Sequence, residues 1–288
     1  MVGTHYKGEI VDSGLYVVAT PIGNLADLSA RAVQVLQGVD LIAAEDTRHS
    51  QRLLQHYAID TPLMAYHDHS DERAVKKISD CIAGGGSVAL VSDAGTPLIS
   101  DPGYRLVRAM QDAGFAVHPI PGACAAVAAL SASGLATDRF LFEGFLPARA
   151  GARDRRLASL AGETATLVFY EAPHRVLECL QAMVVAFGPG REAVLAREVT
   201  KAFETIRRDS LEELAGFVAG DVNQSRGEIV LLVAGAREQA TDVPAETAAL
   251  LLRLARELPA KTAAAVVADL TGLRKKQLYE LLLELKDR

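Results

Sequence analysis

The stretch SVALVSDAGTPLISDPG (residues 87–103) runs from an apolar segment straight into a kinked one made of aspartates, hydroxyl residues, glycines and prolines. A chain that turns polar where an apolar run stops is leaving a buried strand for a strand-to-helix loop. LYVVAT (15–20), VDLIAA (39–44) and FAVHPI (115–120) repeat the apolar pattern. Helical spacing occupies residues 28–37 and 71–83, the latter stopped by Gly84-Gly85-Gly86. That alternation of strand and helix predicts a mainly parallel sheet covered on both faces.

A second series follows in FLFEGF (140–145), ATLVFYE (165–171), AVLARE (193–198), AFETIRR (202–208) and GEIVLLVAG (227–235). Only residues 199–201 separate the third and fourth runs, too few for a crossover helix, so this sheet is predicted to be mixed. From Pro244 onward glycine nearly vanishes and the spacing is helical, with Leu270-Thr271-Gly272-Leu273 separating two helices. Two readings of that tail remain, a helical pack and a helix-turn-helix-like unit that touches nucleic acid.

The chain has 288 residues, half of them hydrophobic, enough for two domains or one large domain with an appendage. The three cysteines, Cys81, Cys124 and Cys179, show neither disulfide nor metal-ligand spacing and read as core thiols, so no metal site is expected. A net charge of −6 argues against a wholly basic surface but leaves room for local basic patches. No apolar run approaches the roughly 20 residues of a membrane span, and the first residues lack a signal-peptide layout. A cytoplasmic protein with no membrane partner is the expectation.

In open α/β sheets ligands collect beyond the carboxyl ends of the strands. Four loops belong there: TPIGNLADL (20–28), EDTRHS (45–50), the opening stretch, and IPGACAAVAAL (120–130). The first is neither G-x-G-x-x-G nor a P-loop, which disfavours NAD and ATP sites, and no G-x-S-x-G nucleophile elbow occurs. The residues alone stop at a cleft for a polar small molecule.

Seven motifs in order carry a resemblance. VATPIGNLADLSARAVQVLQGVDLIAAEDTRHSQRLL, LVSDAGTPLISDPGYRLV, IPGACAAVAALSASGL, FLFEGFLP, FYEAPHRV, REVTKAFE and RGEIVLLVAG together resemble the small-subunit (16S) ribosomal RNA cytidine 2′-O-methyltransferase family, within the tetrapyrrole methylase superfamily. The resemblance implies two α/β domains (1–121 and 122–240) with a cofactor cleft between them, a helical extension (241–288), and a homodimer. It implies S-adenosylmethionine as cofactor and ribosomal RNA, free or in the assembled 30S subunit, as substrate. Cofactor contacts implied in this way are Pro21 and Gly23 in the first loop, Asp93, Ala94, Gly95, Thr96 and Ile99 in the second, Gly122, Ala123, Cys124 and Ala125 in the third, and Tyr170 and Ala172 after the later strand. Two other functions stay open: a relative that methylates a tetrapyrrole or other small molecule, and a non-catalytic nucleic-acid-binding sensor of the cofactor.

Methyl transfer to a ribose hydroxyl needs alignment first, then a base within reach of the oxygen. Glu45, Asp46, Arg48 and Glu171 are the catalytic candidates, drawn from a polar set that also holds His67, Asp93 and Asp101. Asp46 with Arg48 can hold a ribose or phosphate; equally, EDTR can be a helix cap with a salt bridge. His67 and His174 also admit structural readings. For RNA phosphates the candidates are Arg149, Arg153, Arg155 and Arg156 in ARAGARDRR, against the alternative of a solvated helix start.

Overall fold

The computed structural model describes residues 11–67, 72–236 and 243–286. The described residues up to Gly235 form one compact unit and those from Ala236 form another. The first unit contains two five-stranded sheets.

The first sheet consists of β1 (Gly14–Val18), β2 (Leu41–Ala44), β3 (Leu63–Ala65), β4 (Ser87–Val91) and β5 (Val117–Ile120), in the order β3-β2-β4-β1-β5 and parallel throughout. Side-chain alternation sorts its residues onto two cores. Tyr16, Val18, Ile42, Ala44, Ala89 and Val91 pack beneath α1 (Ala30–Gly38) and α2 (Thr47–His56). Leu15, Ala43, Val88 and Leu90 pack beneath α3 (Glu72–Ala83) and α4 (Tyr104–Asp112). All five residues of β4 are buried, as its unbroken apolar run requires. The connection from β1 to β2 passes β4 and that from β4 to β5 passes β1, and the helices α1 and α4 that they carry lie on opposite faces of the sheet.

The second sheet is mixed: β6 (Phe140–Phe145), β7 (Thr166–Glu171), β8 (Glu192–Arg197), β9 (Thr205–Ser210) and β10 (Ile229–Val233), in the order β6-β7-β10-β8-β9. Only β6 and β7 pair in parallel. Helices α6 (Ala150–Leu160), α7 (Val176–Phe187) and α8 (Leu211–Gly220) cover one face, where Leu167, Phe169, Leu195 and Leu231 are buried. Helix α5 (Ala125–Ser133), entered directly from the loop after β5, packs Ala126, Ala129 and Leu130 against the other. The first sheet's last loop therefore runs into a helix of the second sheet's core.

One connection differs from expectation. The β8–β9 link is seven residues, not three, because 198–204 turn on themselves: the Lys201 amide donates to the Glu198 carbonyl at 2.9 Å and the Glu204 amide to the Lys201 carbonyl at 3.1 Å. Strand β9 thus begins at Thr205, later than the apolar pattern suggests.

The described residues of the second unit form three helices, α9 (Ala245–Leu254), α10 (Ala260–Thr271) and α11 (Lys275–Lys286), around Leu251, Ala263, Ala264, Val267, Leu278 and Leu282. Gly272 ends α10 in the left-handed conformation (φ 71°), which glycine adopts without the Cβ penalty.

Candidate functional site

The four loops expected to share a rim are laced together by hydrogen bonds. The Thr20 amide donates to the Gly95 carbonyl at 2.8 Å and the Gly95 amide to the Thr20 carbonyl at 3.1 Å, joining the first loop to the second. The Thr96 hydroxyl donates to the Ala123 carbonyl at 3.0 Å, joining the second to the third. The Asp46 amide donates to Asp93 Oδ1 at 3.1 Å, tying in the loop after β2. Gly95 lies at φ +84°, in the left-handed region, and a Cβ on Gly122 would stand 2.8 Å from that of Ala19. Glycine is needed at the first for conformation and at the second for approach.

Where this rim meets the second sheet lies a cavity of about 380 Å³, within the range of roughly 300–1,000 Å³ typical of small-molecule sites. The second loop supplies Ala94, Gly95, Thr96, Ile99, Ser100 and Asp101, with Ile22 from the first and Cys124 and Ala125 from the third. The second sheet supplies Phe145 from β6, Tyr170 to Pro173 at the end of β7, Val199, and Gly227 to Val230 at the start of β10. Of the five non-glycine residues with positive φ among the described residues, Leu98, Ser100, Glu198 and Thr200 lie in the two segments that carry Ser100 and Val199 to the cavity. Such backbone costs about 1–3 kcal/mol per residue and concentrates at ligand clamps.

The charges of the lining are one-sided. Asp101, Glu171 and Glu228 border the cavity, while among the described residues Lys, Arg and His contribute no lining. The three carboxylates differ. Glu228 is two-thirds exposed and pairs with Lys201 at 3.2 Å. Glu171 sits at the end of β7, where alternation sends Tyr170 toward α5 and sends Glu171 to the opposite, helix-covered face. There its fully buried side chain meets Arg175 Nε at 3.4 Å and accepts the Ala172 amide at 2.8 Å. Asp101 is left as the lining carboxylate without a basic partner among the described ion pairs. Burial pushes its carboxyl above the usual carboxylate range; a hydrogen bond with Ser92 opposes this, and the Asp93 charge adds to it. Tyr170 is anchored by the Ala126 amide, which donates to its phenolic oxygen at 3.1 Å, and burial raises the phenol above its ordinary value.

Of the expected cofactor contacts, Ala94, Gly95, Thr96, Ile99, Cys124, Ala125, Tyr170 and Ala172 line the cavity. Pro21, Gly23, Asp93, Gly122 and Ala123 stand outside the lining, with Asp93 and Ala123 accepting the bonds that lace the loops. Glu45, Asp46 and Arg48 are also outside it. Asp46 caps α2: its carboxylate accepts the Arg48 amide at 2.8 Å and the His49 amide at 3.4 Å, and those bonds hold its pKa below the usual carboxylate range. Arg48 lies almost wholly in solvent. Of the two readings of EDTR, the structure shows the cap. Gly227 to Val230 were missed because RGEIVLLVAG reads as a core strand; their position follows from β10 pairing antiparallel with β7, Ile229 opposite Glu171. Val199 was missed because it lies in the 198–204 link, whose turns no apolar pattern marks.

The basic run is corrected. Arg153 is buried, its side chain 4% exposed, with Nη2 2.8 Å from Glu178 Oε1. It shares the inward face of α6 with Leu157 and Leu160. Arg156 binds both Glu143 carboxylate oxygens, at 2.8 and 2.7 Å. Arg149 and Arg155 are exposed. The free basic surface at this helix is therefore narrower than a four-arginine patch.

Residues 14–215 match the family described as Tetrapyrrole (Corrin/Porphyrin) Methylases, and residues 241–286 match the RsmI C-terminal HTH domain. The ribosomal RNA small subunit methyltransferase I of Pseudomonas aeruginosa is 56% identical over 272 residues, covering 94% of this chain and 96% of the relative. That of Escherichia coli O157:H7 is 49% identical over 280 residues, covering 97% and 98%. Among solved structures, the cobalt precorrin-4 methyltransferase CbiF superposes with a TM-score of 0.57 at 17% identity, covering 81% of this chain and 98% of that one. The uroporphyrin-III C-methyltransferase of Thermus thermophilus, complexed with S-adenosylhomocysteine, does so with a TM-score of 0.54 at 17% identity, covering 77% and 97%. At these identities the structural likeness speaks for the fold. No helix among the described residues is long and apolar enough to cross a membrane.

Proposed function

The chain belongs to the tetrapyrrole methylase superfamily and, within it, to the ribosomal RNA small subunit methyltransferase I family, and from that premise we propose that it methylates the ribose 2′-hydroxyl of a cytidine in 16S ribosomal RNA, using S-adenosylmethionine. The observation that carries this reading is the cavity: three of the hydrogen-bonded loops and the second sheet enclose a mainly apolar space with carboxylates and, among the described residues, no basic side chain in its wall.

That wall fits a cationic methyl donor. S-adenosylmethionine, when bound, supplies an electrophilic methyl group on a positively charged sulfur. The backbone from Ala94 to Thr96, with Ile99, Cys124, Ala125, Tyr170 and Ala172, would hold the donor. Asp101 favours its positive charge from a desolvated position, where Coulomb attraction is stronger than in water. Proton removal from the ribose hydroxyl is assigned to the same carboxylate. Its raised pKa makes it a better acceptor near neutral pH than an ordinary aspartate. With the donor bound, the hydroxyl proton would pass to Asp101 as the ribose oxygen takes the methyl carbon, and the electron pair of the broken carbon–sulfur bond would stay on sulfur. Glu171 is a positioning residue, tying the end of β7 to Arg175.

Arg149 and Arg155 meet RNA phosphates beside the cavity, and α10 with α11 adds a helix-turn-helix surface for nucleic acid. The substrate is ribosomal RNA, free or in the assembled 30S subunit, and the enzyme works as a cytoplasmic homodimer. The test incubates the protein with S-adenosylmethionine labelled in its methyl group and either naked 16S RNA or assembled small subunits, followed by nucleoside analysis. Label in 2′-O-methylcytidine is expected. Label only in an added tetrapyrrole sinks the substrate assignment, and cofactor binding without any transfer sinks the enzymatic one.

A further inference from the structure

Strand β6 contains a bulge whose effect is to re-aim one side chain. Phe142 lies opposite Val168, but Gly144 lies opposite Phe169 and Phe145 opposite Tyr170, so Glu143 is an extra residue in the ladder. Three positions apart on a regular strand, Phe142 and Phe145 would face opposite ways. The inserted residue puts both on the face of Val168 and Tyr170. Gly144 makes the bulge at φ +64°, and a Cβ there would approach Ser100 Oγ to 3.0 Å. The bulge therefore sits where the second loop presses on β6.

The two phenylalanines now flank Tyr170, Phe142 at 5.0 Å and Phe145 at 5.7 Å between ring centroids, both edge-on. Tyr170 is itself fixed by the Ala126 amide. Phe145 is thus braced from behind, yet 57% of it is exposed, and it lines the cavity. An apolar ring held rigidly at the mouth of a site is a surface awaiting a flat partner. Basic side chains are close along the chain. Arg156 clasps Glu143, the bulged residue, and so docks α6 on the strand that carries Phe145. Arg149, four residues beyond Phe145, is exposed, and the turn between them is held by Arg175, which donates to the Leu146 and Pro147 carbonyls at 3.0 and 3.2 Å.

We propose that Phe145 is the stacking platform for the base of the nucleotide to be methylated, receiving it once it is turned out of the RNA while the adjoining phosphates run past Arg149. This rests on the RNA-methylating reading above and adds to it the group that seats the target. Single-stranded bases are commonly read by stacking on aromatic side chains, and such a platform tolerates any base while adding affinity.

The sequence contains no tryptophan, so Phe145→Trp places a single fluorescent reporter on the platform. With S-adenosylhomocysteine alone its emission is expected to stay unchanged, and adding substrate RNA is expected to quench it. Phe145→Leu is expected to raise the KM for RNA on the order of 10- to 100-fold, with S-adenosylmethionine affinity within about twofold of wild type, which also reports an intact fold. Phe145→Trp is expected to keep a near-native KM. Quenching by S-adenosylhomocysteine alone would make the ring the cofactor's adenine seat, and emission that tracks protein concentration would make it a protein interface; either overturns the proposal, as does a native KM in Phe145→Leu. An active wild type with an unaffected leucine variant defeats this inference alone, whereas a wild type that labels no RNA defeats the functional reading as well.

Discussion

Thr20 and Gly95, 75 residues apart in sequence, exchange a pair of backbone hydrogen bonds of 2.8 and 3.1 Å. This isolated antiparallel bridge joins the ends of two parallel strands, β1 and β4, beyond the point where their own ladder stops. It needs Gly95 in a left-handed conformation. It also sets the path of the second loop, because Thr96, the next residue, bonds the third.

Gly95→Ala tests that bridge. A side chain in the left-handed region costs about 1–2 kcal/mol, and the added Cβ would sit 3.4 Å from Ile22. A melting temperature lower by roughly 2–8 °C is expected, together with weaker S-adenosylmethionine binding by calorimetry. Unchanged cofactor affinity in a destabilised variant would show that the bridge serves the fold and not the site.

The charge arrangement on α6 predicts a contrast between neighbouring arginines. Arg149→Glu with Arg155→Glu alters exposed positions, so stability should hold within about 0.5 kcal/mol per site. RNA affinity should fall, and its slope on a log–log salt plot should flatten by about 1.4–1.8 for two lost phosphate contacts. Arg153→Glu instead sets a carboxylate beside Glu178 in a buried position. Because Glu178 itself is largely exposed, the expected cost is on the order of 2–4 kcal/mol, below the upper figure for a wholly buried pair. Denaturant unfolding of the two proteins separates surface from core.

Much of this was legible in the sequence, for physical reasons that also mark where reading stops. The loop at 92–103 announces itself because the buried run of β4 ends abruptly in polar, turn-forming residues. The burial of Arg153 was also written there: Arg153, Leu157 and Leu160 follow helical spacing, so one inward face carries all three, and counting charges along the run hid it. The bulge at Glu143 left no such mark. FLFEGF is compatible with either phase of a strand, and only pairing with β7 and pressure from Ser100 choose between them. Gly227 to Val230 likewise reach the cavity through a strand pairing that spans more than fifty residues, which no local pattern encodes.

Tyr170→Phe removes the acceptor of the Ala126 amide at the first turn of α5. Part-buried and left without that partner, the amide should cost about 1–3 kcal/mol. The loss should also loosen the aromatic group that braces Phe145. Reduced thermal stability with a raised KM for RNA is expected, and a loss of kcat alone would point to a chemical role for the phenol instead.

Asp101→Asn separates chemistry from stability through pH. In the folded protein this carboxyl titrates above its unfolded value near 3.9, so between those two values the folded state binds more protons than the unfolded one. Stability from this group is therefore greatest at low pH and is lost as pH rises through the folded pKa, leaving a standing cost at neutrality. Asparagine removes that cost, so the variant is expected to melt higher than wild type at pH 7.5 and to lose the advantage in acid. Catalysis should move the other way. As proton acceptor, Asp101 must be ionised, so wild-type kcat/KM should fall on the acid side through the same raised pKa. The variant should lose on the order of 10²–10⁴-fold in rate and show no such acid limb. A fully active asparagine variant that still melts higher would leave the burial argument standing and remove Asp101 from the proton transfer.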